Sequence, residues 1–171
     1  NDGNTMIVSS SVNDDGGNNA GKVRVFEWDG GTWVQKGSPI YGDAVDDQFG
    51  WSVSVNTDGT IIAGGARSND DAAHSGGHVR VFEWNGSDWS QLGVDIDGDI
   101  EYGAAGRCAL SDDGHTVVIG ANGEDSLLTN SGSVRVYHWN GSSWNQMGSQ
   151  LIGEASGDEF GSAVDISADG T

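Results

Sequence analysis

The stretch VRVFEWNGSDWSQLG, residues 79–93, decides how this chain is read. It opens with a run of β-branched and aromatic residues. An Asn-Gly pair follows, then a short run carrying a second Trp. Asn-Gly tolerates positive φ and favours tight hairpins, so the stretch predicts strand, turn and strand. VRVFEWDGGTWVQKG at 23–37 and VRVYHWNGSSWNQMG at 134–148 repeat it, with starts 56 and 55 residues apart. Self-similarity at such a period is the mark of a repeat architecture.

The other half of the unit repeats in step. DQFGWSVSVNTDGT occupies 47–60, IEYGAAGRCALSDDGH 100–115 and DEFGSAVDISADGT 158–171. Aligning Phe49-Gly50, Tyr102-Gly103 and Phe160-Gly161 brings these segments together. Between the halves lie three polar loops, residues 9–21, 64–76 and 120–132. Asp14, Asp70 and Asp125 each stand nine residues before the next Val-Arg-Val, so the loops align as well. No apolar pattern of helical period is sustained. WSVSVN alternates, TIIAGGA is apolar on both faces, HVRVFEW is a third strand and DWSQLG a fourth.

Four antiparallel strands per unit, with Gly and aromatics at fixed places, predict an all-β propeller segment of about three blades. A blade alone would expose two apolar faces, and stacking on its neighbours buries both. The frame gives a partial first blade at 1–48, a second at 49–101, a third at 102–159 and the start of another at 160–171. The array reads as a window on a longer propeller, since rings close at about 4–8 blades.

Composition narrows the function. There are 26 Asp+Glu against 7 Lys+Arg, a formal charge of −19, which disfavours nucleic acid and anionic membranes as partners. No run of about 18 apolar residues is present, so no membrane insertion is expected. Seven Trp argue against disorder. The single cysteine, Cys108, excludes an internal disulfide and reads as a small core residue.

Trp28, Trp84 and Trp139 recur, as do Trp33, Trp89 and Trp144. Residues present in every unit are explained first by packing between blades, and second as ligand-facing aromatics. Arg24, Arg80 and Arg135 recur too, and predict stacking on an aromatic or a blade-to-blade pair with an acid. His74, His78, His115 and His138 fall at non-equivalent positions and read as surface substitutions. The acidic groups at 43–47 and 95–101 read as solvated loops. No nucleophile elbow, phosphate-binding loop or zinc-protease motif occurs, so an enzyme is not expected. Asn85 and Asn140 each begin an Asn-Gly-Ser sequon and are candidate N-glycosylation sites.

These repeats resemble the FG-GAP repeats of integrin alpha-chain propellers. With the added W-x-Q-x-G strand in WVQKG, WSQLG and WNQMG, they are more similar to FG-GAP-like repeats of secreted and surface proteins. The resemblance implies a β-propeller and an extracellular or cell-surface setting. It also implies scaffold, adhesion or lectin roles, with protein partners, self-assembly or carbohydrate as ligand. Integrin-type repeats carry a calcium loop, D-x-[DN]-x-D-G-x-x-D. Anchored on Asp58, Asp113 and Asp169, its first position holds Ser54, Ala109 and Asp165, and its third Asn56, Ser111 and Ser167. The ninth holds Ile62 and Val117. The two complete loops lack the carboxylates that calcium needs. Asp-Gly therefore reads as a hairpin turn, and only Asp165 with Asp169 remains a weak calcium candidate. The expected function is a non-catalytic scaffold or adhesion module, with a lectin using Trp33, Trp89 and Trp144 as the alternative.

Overall fold

A computed structural model describes residues 3–125 and 127–171. It contains three antiparallel sheets. The first holds β1 (Thr5–Ser10), β2 (Lys22–Trp28), β3 (Trp33–Gln35) and β4 (Ile40–Tyr41). The second holds β5 (Phe49–Val55), β6 (Ile61–Ala66), β7 (His78–Trp84), β8 (Trp89–Gln91) and β9 (Ile96–Asp97). The third holds β10 (Ala105–Leu110), β11 (Thr116–Ala121), β12 (Ser133–Trp139), β13 (Trp144–Gln146) and β14 (Leu151–Ile152). The chain is an all-β partial propeller of about three blades. Among the described residues no helix is long and apolar enough to cross a membrane.

The fourth strand is not one run. β8 pairs with the end of β7 through Trp84↔Trp89, and β9 pairs with its start through Val79↔Ile96. The break falls on the Gly of W-x-Q-x-G. Gly37, Gly93 and Gly148 have φ of 74°, 83° and 67°, a left-handed conformation that Gly adopts without Cβ strain. The Gln of each motif then donates its amide to that Gly carbonyl, at 2.9, 3.3 and 3.2 Å. The motif therefore encodes a kink and its hydrogen bond, rather than a straight strand.

The hairpin at NTDGT joins β5 to β6. Asn56 Oδ1 accepts from the Thr60 and Ile61 amides at 3.0 and 2.9 Å, and Asp58 Oδ1 from the Thr60 hydroxyl at 2.5 Å. The two Asn56 bonds satisfy backbone donors that the turn leaves unpaired.

The core lies between sheets. Val23, Val25, Phe49, Ile62 and Phe82 fill the first junction. Ile61, Ala63, Val79, Val81, Cys108, Leu110, Val117 and Ile119 fill the second. β6 is buried on both faces, because its odd residues face the third sheet and its even residues the first.

Strand register corrects one sequence alignment. Phe49 pairs with Ala66, and Ala105 pairs with Ala121. Ala105-Gly106 thus occupies the Phe-Gly position of the middle unit, while Tyr102 lies in the preceding loop, 61% exposed. Packing explains the change. The Phe49 ring lies over Gly64, where an added Cβ would come within 2.7 Å. The register partner equivalent to Gly64 in the third sheet is Ile119. Its side chain takes the ring's place, so the smaller Ala105 fits beside it.

Candidate functional site

Strand direction places the loops. The β1–β2, β4–β5, β6–β7, β9–β10 and β11–β12 connections gather at one end of the array, the long-loop end. They are tied to one another by backbone bonds such as Phe49 N to Ala20 O and Ala105 N to Gly76 O, at 2.9 and 2.8 Å. The hairpins at 56–60 and the turns carrying Asn85 and Asn140 lie at the opposite end.

Each of the long loops is held by an Asp. Asp14 accepts the Asn19 amide at 2.8 Å and Asp70 the Ser75 amide at 2.6 Å, while Asp125 accepts the Asn130 amide. These three Asp are exposed, with Asp15, Asp71, Glu101, Glu154 and Glu159 around them. Apolar tips stand among them: Val12 is 65% exposed and Leu127 70%.

The Arg series pairs across the junctions. Arg80 of β7 donates to Asp43 in the β4–β5 loop at 2.7 Å, and Arg135 of β12 donates to Asp99 in the β9–β10 loop at 2.8 Å. Arg80 also packs against the rings of Phe49 and Phe82, and Arg24 against Phe26. The sequence did not say which acids are the partners, although each follows a Gly: Gly42-Asp43 and Gly98-Asp99.

The Trp pairs are packing elements in the second and third sheets. Trp84 with Trp89 and Trp139 with Trp144 lie at ring distances of 5.3 and 5.5 Å. Trp89 Nε1 donates to Lys36 O at 2.9 Å and Trp144 Nε1 to Leu92 O at 2.8 Å, each on the preceding sheet. Trp33, on the first sheet, remains exposed beside Trp28.

A different aromatic meets unpaired charge. Trp51 is exposed on β5, at the long-loop end. Arg67 and Arg107 approach its ring at 4.2 and 5.3 Å. Lys22, Lys36, Arg80 and Arg135 pair with carboxylates, but Arg67 and Arg107 make no ion pair among the described residues.

The histidines separate. His74, beside Asp70, and His138 are exposed, but His78 has no exposed surface. The surface reading fails there because His78 begins β7, against the β4–β5 loop of the first sheet. The acidic groups at 43–47 and 95–101 are likewise not simply solvated. Asp47 is buried and accepts from Ala44 N and Asn69 Nδ2, while Asp95 lies 3.5 Å from His78. Burial, and next the Arg80 charge, hold the His78 imidazole below its usual range. Cys108 is buried in the core and its thiol is pushed up to about 12 by desolvation.

Asp165 Oδ1 accepts the Ile166 amide, and Asp169 Oδ1 accepts from Ser167 and Thr171. Asn85 and Asn140 are exposed, and each amide oxygen closes its own turn through the Ser hydroxyl at 2.9 Å.

The fold and these positions define a β-propeller. The chain is similar to a 6-phosphogluconolactonase-like protein from Bacteroides fragilis, with a TM-score of 0.60 at 11% identity, over 90% of this chain and 37% of that one. TolB from Acinetobacter baumannii gives a TM-score of 0.45 at 14% identity, over 85% of this chain and 30% of that one. The chain thus spans about a third of the length of each. No family model matches, and no curated protein does.

Proposed function

We propose that this chain is a non-catalytic extracellular or cell-surface module of the FG-GAP-like kind, acting as a scaffold or adhesion element. Its partner surface is the long-loop end, and its partner a basic protein face. One observation carries this reading: three equivalent loops hold exposed carboxylates on a framework preset by Asp-to-backbone bonds. Preset loops lose little entropy on docking, and their summed charge steers a basic partner. Apolar tips such as Val12 and Leu127 supply contact area beside the charge. The sequons at Asn85 and Asn140 lie at the other end, where a glycan leaves this surface free.

The test uses an immobilised lysine-rich peptide as the probe. Binding is expected to fall with salt and to drop at least severalfold in the triple variant Asp71→Asn/Glu101→Gln/Glu154→Gln. Equal retention by wild type and variant, or none by either, would end the proposal.

A second reading is a carbohydrate-binding propeller, and the Trp51 site favours it. A ring flanked by two unpaired guanidinium groups suits a sugar that carries a carboxylate or sulfate. The ligand is then met at Trp51, not at Trp89 or Trp144, whose indole N–H groups are already used. Quenching by a uronic-acid oligosaccharide, absent in Trp51→Phe and Arg67→Ala, is the expected result. Silence towards acidic and neutral oligosaccharides alike counts against it.

A further inference from the structure

We propose that Asp43, His78 and Asp95 form a binding site for a divalent transition cation of the zinc class, which clamps the first sheet to the second. Asp43 comes from the β4–β5 loop, His78 from the start of β7, and Asp95 from the segment leading into β9. One ligand atom of each lies within 4.8 Å of the others.

The second observation is the imidazole itself. His78 has no exposed surface, and among the described residues neither ring nitrogen has a hydrogen-bond partner. Its Nδ1 lies 3.5 Å from Asp95 Oδ2, beyond a good hydrogen bond. Buried polar groups are almost always satisfied, so an unbonded imidazole facing two carboxylates points to a missing electrophile. An imidazole nitrogen with no bonded partner offers the lone pair that a metal requires.

The carboxylates retain ligand capacity. Arg80 takes Asp43 Oδ1 and Gln91 takes Asp95 Oδ1, which leaves the Oδ2 atoms of both. Nitrogen and oxygen ligands about 2.0–2.2 Å from zinc stand about 3.4 Å apart in a tetrahedron. His78 Nδ1 and Asp95 Oδ2 already stand 3.5 Å apart, so any remaining closure falls to the exposed Asp43 loop. Water at the open side beside Asp43 completes the shell. One imidazole with two carboxylates suits zinc and its neighbours, whereas calcium takes 6–8 oxygens.

The second junction supplies the contrast. Register places Glu124, Ser133 and Gln150 where the first junction has Asn69, His78 and Asp95. There Glu124 accepts from Ser133 Oγ and Gln150 Nε2 and lies 3.6 Å from the Arg135 guanidinium, so the cluster closes on protein groups alone.

The experiment adds zinc to the chelator-stripped chain, with calcium in parallel. Metal retained after gel filtration and the shift in melting temperature are read together. A single retained zinc with an upward shift is expected, and no shift with calcium. His78→Gln and Asp43→Asn should each weaken zinc binding at least about tenfold, the scale on which ligand-shell losses are felt. Asp99→Asn removes the equivalent Arg-paired acid of the next junction and should leave binding intact. So should His74→Gln/His115→Gln, which removes two imidazoles outside the cluster. If His78→Gln does not fold, Asp95→Asn replaces it. Absence of retained zinc overturns the proposal. So does zinc that survives Asp43→Asn or Asp95→Asn, or that is lost with His74 and His115.

Discussion

Arg80 of the second sheet reaches Asp43 of the first at 2.7 Å, and its other terminal nitrogen donates to Tyr41 O at 2.6 Å. The Arg80 side chain is 5% exposed and that of Asp43 50%, so the charge is buried on one side of the pair only. Asp43→Ala leaves a buried guanidinium short of an acceptor and is expected to cost about 1–3 kcal/mol. A double-mutant cycle with Arg80→Met, in chelator, should show coupling of about 1 kcal/mol. Additive losses in chemical denaturation would show that the pair does not link the sheets.

Phe49 and Gly64 in the second sheet stand where Ala105 and Ile119 stand in the third. Phe49→Ala should cost about 3–5 kcal/mol by leaving a cavity. Gly64→Ile should cost about 1–3 kcal/mol by overpacking. The double variant recreates the third-sheet pair and should recover at least about 1 kcal/mol against the sum of the singles. Urea melts of the four proteins measure it.

Trp144 spends its indole N–H on Leu92 O, at 2.8 Å, across the second junction. Trp144→Phe should therefore lose about 1 kcal/mol, one half-buried hydrogen bond. Trp33→Phe, on the exposed pair, should stay within about 0.5 kcal/mol. Thermal melts in which the two variants match would rule out the inter-sheet role.

Cys108 is buried with its thiol held up to about 12, so the reactive thiolate is scarce in the folded state. A thiol-exchange reagent at pH 8 should label it only as the chain unfolds. Labelling in native buffer as fast as in denaturant would contradict the packing described.

Asp58 is held below its ordinary value, first by the Thr60 hydroxyl and then by the Thr60 amide. Its ionised form is favoured by folding. The stabilisation is present above the unfolded value near 3.8 and fades as pH falls through the lower folded one. The group is exposed, so solvent limits the effect to below about 0.5 kcal/mol. Stability profiles of wild type and Asp58→Asn should separate at neutral pH and converge in acid. A gap that widens in acid would show that Asn supplies the weaker cap.

The sequence by itself determined the period, the strand content and the three-blade array. These follow from local chemistry: alternation, Asn-Gly and Asp-Gly turns, and recurring Trp. It also marked the Arg–aromatic stacking, because Arg80 and Phe82 lie on one face of one strand. Contacts between units were decided only by tertiary structure. The kink at Gly93 hides inside a plausible strand, since glycine does not declare its φ in sequence. The middle Phe-Gly position was misread because Tyr102-Gly103 imitates it three residues early, and only the Ala105–Ile119 fit reveals the true register. His78 looked like a surface substitution until the loop carrying Asp43 covered it. Its burial depends on a residue 35 positions away, and no local pattern encodes that distance. The fold rests on repeated local rules, whereas the candidate sites rest on the departures from repetition that packing brings together.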